Sequence, residues 1–299
     1  YTMMAGRAQG LAGMVMGTLG FVEPELLAIG REKLAEWGRS NAVIAEHQHA
    51  YDDLFRRQAH VRSAEVEELL GMLSDVRRQP YGTYGMLTDT DLQYRAATDS
   101  AGNTHAVTQG TLQAHLNNTD RELRRTAYES FTDGHLSVKN TLASNLVNAV
   151  KLDVFYARAR RFDTALEASL FENNVPKEAF FNLIDTFKKN IPTWHRYWDV
   201  RRKMLGVESL QPYDVWAPLT AQNPNVPYEQ AVEWISAGMS PLGEHYVNTL
   251  RRGCLQDRWV DVYPNAGKRQ GAFSSGSYGT FPFIMMSYND NLLSMSTLA

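Results

Sequence analysis

Apolar residues recur at helical spacing along most of the chain. The first helical run opens near Pro24, which stands between two acids as is typical of a helix start, and its apolar residues then return every three or four positions. Similar amphipathic runs follow at about 42–59 and 63–78, and Ser63 is placed to cap the second of them. We therefore predict that residues 23–79 form a helical hairpin or a longer helical array.

An apolar stretch at residues 8–22 precedes these helices. It is about five residues shorter than a membrane span needs, and it contains glycines. No small-residue cleavage site follows it, so a secretory signal peptide is not predicted either. A buried helix is the interpretation that this stretch favours.

The pattern changes at residue 80. The breaker cluster at 79–82 (QPYG) predicts the end of a helix. Two short runs, 92–96 and 104–107, then flank the segment 98–103 (TDSAGN), whose residues are typical of a tight turn. This arrangement predicts a β-hairpin.

Helical patterns return after the hairpin. Residues 119–122 (TDRE) form a capping-box pattern, and the helical stretch that follows reaches about Arg161 as one helix or two. Another helix is predicted to open at Pro176, to be broken or bent at Pro192, and to continue to Leu205. Two further helices are predicted between Pro227 and Arg252.

The hydrophobic pattern of the last forty residues differs from the helical pattern before it. Residues 259–263 alternate as a strand, and 281–288 form a second strand candidate that Pro282 predicts to lie at a sheet edge. A helix is predicted from about Asp290. Its roughly nine residues are fewer than a stable isolated helix needs, and no stop signal follows, so we expect the native chain to continue beyond Ala299.

Composition and charge narrow the class of protein. The 299 residues are 43% hydrophobic with a net charge of −3, which argues against a protein that binds nucleic acid through bulk charge. Cys254 is the single cysteine, so no disulfide framework is possible.

Candidate chemistry within the chain is sparse. His47 and His49 would point about 200° apart on a helix, so both cannot face one metal ion. The other histidines are scattered without ligands at metal spacing, and the glycine-containing loop at 271–279 lacks the order of a phosphate-binding loop. We therefore predict no catalytic residue and no metal ligand set formed wholly by this chain.

Several short motifs nevertheless occur in one order along the chain. They are 118–125 (NTDRELRR), 213–219 (YDVWAPL), 241–246 (PLGEHY), 259–262 (WVDV), 267–273 (GKRQGAF) and 282–299 (PFIMMSYNDNLLSMSTLA). Each motif alone is weak, but the ordered set resembles the oligoendopeptidase F branch of the thimet-oligopeptidase family of zinc metallopeptidases.

This resemblance implies a mainly α fold of long helices, zincin-like, with a small β-hairpin and a small antiparallel or mixed sheet near the carboxyl end. It also implies two regions. Residues 1–110 would be an N-terminal helical region that includes the hairpin and lacks its start. Residues 111–299 would supply catalytic-domain helices and the sheet, and would end just before the zinc-binding helix.

The resemblance further implies the function of the parent protein, a zinc-dependent hydrolase of internal peptide bonds in short peptides. In the family, the segment matching 296–299 leads into His-Glu-x-x-His, which this sequence lacks. We therefore expect this chain to lack the zinc ligands and the general base and to be inactive alone. Its expected partner is an oligopeptide, with no nucleic acid and no membrane, in the cytoplasm; the oligomeric state stays open.

Substrate-binding residues are implied in the same way. By resemblance, 281–288 is the edge strand that pairs with the substrate backbone, and the loop 271–279 borders the same cleft. The implied contacts are Ala272, Phe273, Ser274, Phe283, Ile284, Met285 and Ser287. Ser287 stands where the family pattern has asparagine.

Two alternatives remain at this point. The first is a catalytically inactive helical peptide-binding module, which would use the same cleft without a metal. The second is a helical scaffold or nucleic-acid protein that uses the basic clusters at 158–161 and 201–203 as contacts, against which the net charge argues.

Overall fold

The computed structural model describes residues 21–220, 224–265, 267–269 and 271–299, together with residues 4, 7, 8, 10, 11, 14, 15, 18 and 19; the side chains of residues 64, 68, 74 and 75 are not described. The structure is 66% helical with small sheets, which confirms the predicted mainly α class. The described residues form two compact units, one within 1–77 and 151–175 and the other within 78–150 and 176–299. The division into 1–110 and 111–299 stays a prediction.

The α-helices in the described part of the chain are numbered here in order. They are α1 Val22–Ile29, α2 Arg31–Ser40, α3 Ala42–Glu46, α4 Gln48–Arg57, α5 Ala64–Met72, α6 Ser74–Gly85, α7 Gln109–Leu116, α8 Arg121–Ser137, α9 Lys139–Ala159, α10 Ala165–Glu172, α11 Lys177–Met204, α12 Tyr228–Gly238, α13 Glu244–Leu255 and α14 Leu292–Leu298.

The remaining regular elements are short. The strands are β1 Ala97–Thr98, β2 Thr104–His105, β3 Val260–Asp261, β4 Phe273–Ser275 and β5 Phe283–Met285. Single turns of 3₁₀-helix lie at Gln58–His60, Pro212–Asp214 and Ser240–Leu242, and a π-helical turn lies at Met86–Asp91.

The first predicted helical run is divided at a glycine. Gly30 has φ of 88°, a backbone conformation that side chains other than glycine rarely adopt, and it separates α1 from α2. Ser63 precedes α5 in extended conformation, as predicted, although its side chain makes no capping hydrogen bond. The helical array predicted for residues 23–79 is therefore confirmed, with more breaks than the pattern showed.

Proline positions give two corrections. Helix α6 continues through Pro80, so the prediction that 79–82 ends a helix is wrong. Val76, four residues earlier, is exposed, so the carbonyl that loses its helical partner can bind water instead. Likewise α11 runs through Pro192 as one helix of 28 residues, so the alternative in which Pro192 breaks it is wrong.

The stretch at 8–22 falls partly outside the described residues. Its described members include Leu11, Met14 and Leu19, and each of these side chains is more than half exposed. For these residues the predicted burial is wrong. Within the described part of the chain, no helix combines the length and the apolar character that crossing a bilayer requires.

The predicted β-hairpin is confirmed. Strands β1 and β2 pair antiparallel, with Ala97 opposite His105. The Asp99 carboxylate closes the turn by accepting hydrogen bonds from the backbone N–H of Ala101 and Asn103, at 3.0 and 2.8 Å. The first strand begins later than predicted, at Ala97.

The predicted helix starts after the hairpin are also confirmed. The start of α8 is confirmed, but the predicted capping box, which needs Thr119 as the cap, is wrong. Asp120 caps α8 instead, because its carboxylate accepts hydrogen bonds from the N–H groups of Glu122 and Leu123. The long helical stretch is two helices, α8 and α9, with Val138 between them. Helices α12 and α13 begin directly after Pro227 and Gly243.

The three-stranded sheet corrects the predicted edge strand. Its order is β3-β5-β4, with β5 parallel to β3 and antiparallel to β4. The strand within 281–288 is therefore central, and the prediction that Pro282 places it at an edge is wrong. Pro282 lies just before the first paired residue, Phe283, so its missing N–H removes no bond from either ladder.

Two hydrophobic clusters form the core of the larger unit. The first joins the hairpin to α7 and α8 through Ala97, Val107, Leu112, Leu116, Leu123 and Ala127. The second joins α12 to the sheet through Val226, Tyr228, Ala231, Val232, Val260, Met286 and Tyr288. The second cluster supports the back of the sheet and so fixes the position of its strands.

A buried ion pair lies beside the first cluster. The Asp214 side chain is fully buried and accepts hydrogen bonds from Arg124 at 3.0 Å and from Arg121 at 2.8 Å. Burial by itself would raise the pKa of Asp214, but hydrogen bonds from Arg121, Arg124 and the Gln211 N–H outweigh it and hold the pKa below its usual value.

Candidate functional site

A cleft of about 210 Å³ lies where the sheet, α7 and α14 meet. Gly110 and Gln113 come from α7, Gly271 and Ala272 from the loop before β4, and the remaining lining residues are Met286, Ser287, Asn289, Leu293, Ser294 and Thr297. None of these residues carries a charge. Such a lining suits contacts with neutral backbone groups rather than with a charged ligand.

Strand β4 forms the outer strand beside this cleft. The N–H groups of Ile284, Met286 and Tyr288 donate to the carbonyls of residues 259, 261 and 262 on the β3 side, at 2.8–2.9 Å. Backbone groups of successive strand residues point to opposite sides, so those of Phe283 and Met285 face β4.

Ser274 is consequently the residue that faces outward. Phe283 and Met285 stand opposite Ser275 and Phe273, and Ser274 lies between these two pairs. Its N–H and C=O therefore point away from β5, and in the described part of the chain no further strand pairs there. All three side chains of β4 are exposed. An open strand edge of this kind can pair with an extended peptide.

Close packing holds the cleft together. Gly110 lies against Pro264, and a Cβ at position 110 would stand 2.7 Å from the Pro264 Cβ, so the contact needs glycine. The Asn289 side chain donates to the carbonyls of Gly110 at 3.3 Å and Ser287 at 2.7 Å. Helix α7 is thereby fastened to the end of β5.

The side chain of Ser287, two residues after the end of β5, holds the loop that leads into β4. The Ser287 hydroxyl donates to the Arg269 carbonyl at 3.3 Å. Residue 270 of the motif at 267–273 lies outside the described residues.

Tyrosines behind the sheet stay neutral. The buried Tyr288 hydroxyl donates to the Val226 carbonyl at 2.8 Å, and burial raises its pKa to about 12. Burial also raises the pKa of Tyr263, with the Asp290 carboxylate adding to the effect. Neither tyrosine is therefore a base at neutral pH, and Tyr288 serves as a hydrogen-bonding and packing group.

The residues predicted to bind substrate fall into two groups. Ala272 and Ser287 line the cleft, and Phe273 and Ser274 lie on the exposed outer strand beside it. Phe283, Ile284 and Met285 lie on the central strand, where both of its sides are paired. Their backbone groups are occupied by neighbouring strands, so the open edge is formed by β4 and not by these three residues.

Sequence reasoning missed the contribution of α7. Gly110 and Gln113 line the cleft although they precede β5 by about 170 residues, and no local motif marks them. Asn289 lies just before the helix that is predicted from about Asp290. Its role in joining β5 to α7 depends on a tertiary contact that the sequence pattern does not contain.

The described residues do not fit a zinc site. Among them, no three His, Cys, Asp or Glu side chains lie close enough together to hold a metal ion. Zinc binding needs three or four such ligands, so no zinc chemistry is assigned to this cleft.

The family model described as Peptidase family M3 matches residues 114–299, which include the cleft and the sheet. The chain belongs to peptidase family M3. A second model, described as Oligopeptidase F, matches residues 25–94. The predicted resemblance to the oligoendopeptidase F branch is thus confirmed.

Relatives of this family resemble the chain along its whole length. Oligopeptidase PepF of Bacillus subtilis is 34% identical over 299 residues, which is 100% of this chain and 44% of the relative. The oligoendopeptidase F homolog of Borreliella burgdorferi is 33% identical, over 97% of this chain and 48% of the relative. The chain therefore spans about half the length of these M3 relatives.

A solved structure gives the same result for the fold. The crystal structure of oligoendopeptidase-F from Enterococcus faecium superimposes with a TM-score of 0.67 at 27% identity, over 87% of this chain and 49% of that chain. The M3 fold predicted from the ordered motifs is confirmed by this likeness.

Proposed function

We propose that this chain forms the peptide-binding part of an oligoendopeptidase, and that a short peptide binds as an extra strand along the outer edge of β4. The observation that carries the proposal is the outward-facing backbone of Ser274, next to an uncharged cleft. Relatives named as oligopeptidases and oligoendopeptidases support a peptide as the ligand.

Edge pairing explains how such a protein could accept peptides of many sequences. The N–H and C=O of Ser274 would bond the backbone of one peptide residue, which every peptide offers whatever its side chains are. Each such bond contributes about 0.5–1.5 kcal/mol net, so two or three of them fix the register of a peptide without binding it permanently. Ala272 and Ser287 then line the cleft beside that peptide.

The proposal extends to the whole protein. Its activity would be hydrolysis of internal peptide bonds in short peptides, dependent on zinc, and its location the cytoplasm. Since the described residues do not fit zinc, the ligands and the general base would come from outside them, and this chain alone would be inactive. A quenched fluorescent peptide incubated with the chain should stay uncleaved; turnover that a chelator abolishes would contradict this.

Peptide binding can be tested without catalysis. The anisotropy of a labelled, neutral, amidated heptapeptide would be measured against the 299-residue chain and two variants. Ser274→Pro removes the outward N–H and keeps the C=O, so it should weaken binding about five- to tenfold, as loss of one backbone bond predicts. Ser274→Ala keeps the N–H and removes only the hydroxyl, so it should change affinity less than about twofold.

The two variants separate the possible outcomes. Equal affinity of Ser274→Pro and the unmodified chain would show that the peptide does not pair with β4. An equal loss in both variants would show that the hydroxyl, not the backbone, makes the contact. Failure of any peptide to bind the unmodified chain would overturn the proposal as a whole.

A further inference from the structure

A second cavity, of about 320 Å³, lies on the other side of the loop that leads into β4. It is lined by Tyr81, Tyr84, Gly85, Asp89, Gln109 and Arg269. Gln109 in this cavity and Gly110 in the peptide cleft are consecutive residues of α7. The two cavities therefore share one helix start and one loop.

Arg269 is the charged group that this loop presents to the cavity. Its guanidinium donates to the Tyr81 hydroxyl and lies 5.8 Å from the centre of the Tyr81 ring. In the described part of the chain no carboxylate lies within 4.0 Å of it, and its other N–H donors have no protein partner there. The Tyr81 hydroxyl does not form an ion pair with Arg269, and the hydrogen bond from Arg269 to Tyr81, with a smaller contribution from the Asp89 charge across the cavity, raises the pKa of Arg269.

Asp89 does not neutralise this charge by direct pairing. One of its carboxylate oxygens, Oδ1, accepts hydrogen bonds from Gln109 at 2.7 Å and from Thr88 at 3.1 Å. Asp89 thus has partners on its own side of the cavity. Most N–H donors of the Arg269 guanidinium are therefore free to bind an incoming anion. Two parallel guanidinium N–H groups can bind the two oxygens of one carboxylate.

The cavity lies within reach of a peptide paired with β4. Arg269 precedes Ser274 by five positions, so their Cα atoms lie no more than about 18 Å apart. The Ser287 hydroxyl fixes the Arg269 carbonyl, which holds the loop against the end of β5. An extended peptide of about five to seven residues could contact both positions.

We propose that Arg269, with Tyr81 and Tyr84, forms a specificity site that binds a carboxylate of the peptide paired with β4. This proposal rests on the proposed function, because it concerns the same bound peptide. The carboxylate can be an acidic side chain or the C-terminal carboxylate of the peptide; both present the same two oxygens to the guanidinium. Peptides with such a group about five residues from the one paired at Ser274 are the preferred ligands.

The test compares matched heptapeptides by anisotropy against the 299-residue chain. One peptide is neutral and amidated, one differs only by a free C-terminal carboxylate, and a third series is amidated with a single glutamate moved along the sequence. The unmodified chain should bind the best carboxylate peptide about five- to tenfold more tightly than the neutral one. Whether the free terminus or a glutamate gives the gain identifies the source of the carboxylate.

Three variants complete the test. Arg269→Gln should remove the preference, so that the carboxylate peptides and the neutral peptide bind with equal affinity, and Arg269→Lys should retain part of the preference. Arg252→Gln makes the same change of charge at an exposed arginine of α13 that is bonded to Asp257, and it should keep the full preference.

Equal preference in Arg269→Gln and the unmodified chain would overturn the proposal, as would the absence of any preference in the unmodified chain. Absence of all peptide binding would instead show that the proposed function itself is wrong.

Discussion

Two regions of the larger unit differ in whether their polar groups have partners within the protein. Around Asp214, both carboxylate oxygens are bonded to arginines and the side chain is wholly buried. Along β4, the backbone of Ser274 faces outward, and nearby the Arg269 guanidinium donates to the Tyr81 hydroxyl and, among the described residues, has no other hydrogen-bond partner. The first region pairs both oxygens of its buried carboxylate internally, although the buried Arg124 Nε–H has no partner among the described residues. The second region leaves strong donors and acceptors available.

This difference separates stability from binding. A buried polar group must be paired, because leaving it unpaired costs more than the pair contributes. An exposed polar group costs little free energy when no ligand is bound, since water forms hydrogen bonds with it. Substitutions in the Asp214 region should therefore change the free energy of unfolding, and those on β4 and at Arg269 should change affinity for peptides.

The largest effect is expected at Asp214. Asp214→Ala would leave Arg124, which is 3% exposed, without its carboxylate, so the free energy of unfolding should fall by about 3–5 kcal/mol. Urea unfolding followed by circular dichroism measures this loss. Asp199→Ala is the matched control, because Asp199 pairs with Arg202 and Lys203 on the surface, and it should cost less than about 1 kcal/mol. Similar losses in both variants would remove the distinction between the buried and the open region.

The next effect contrasts two strands of one sheet. Ile284→Pro removes the N–H that donates to the Trp259 carbonyl at 2.8 Å, together with a half-buried side chain, so it should lower the free energy of unfolding by about 3 kcal/mol. Ser274→Pro removes an N–H that no strand uses and should cost less than about 1 kcal/mol. Thermal and urea unfolding of both variants measure the contrast. A large loss in Ser274→Pro would show that the outer side of β4 is already paired in the protein.

Local features of the fold could be predicted from the sequence, and long-range features could not. The hairpin turn at Asp99, the cap at Asp120 and the starts after Pro227 and Gly243 depend on residues within one turn of each other. Pro80 misled the prediction because a proline inside a helix is tolerated where the freed carbonyl reaches water, which the sequence does not reveal.

The candidate site shows the same limit more sharply. Strands lie within 259–263 and 281–288 as predicted, but β4 lies within 271–279, which was predicted as a loop. The order of the strands depends on pairings between residues up to 24 positions apart. A Pro before β5 is compatible with an edge or a central position, so the pattern could not decide between them. The role of α7 could not be predicted at all, since Gly110 meets Pro264 only in the folded protein.

The smallest effect tests a single neutral hydrogen bond in the closed region. Tyr288→Phe removes the hydroxyl that donates to the Val226 carbonyl and leaves that buried acceptor unpaired, while the ring keeps its edge-to-face contact with Tyr228 at 5.6 Å. The free energy of unfolding should fall by about 1 kcal/mol, measured by urea unfolding. Tyr278→Phe is the control, because Tyr278 is fully exposed and its hydroxyl is bound by water, so stability should not change. A loss as large as that of Asp214→Ala would mean that charge is not what makes the buried ion pair sensitive, because burial of any hydrogen-bonding group would then have the same effect.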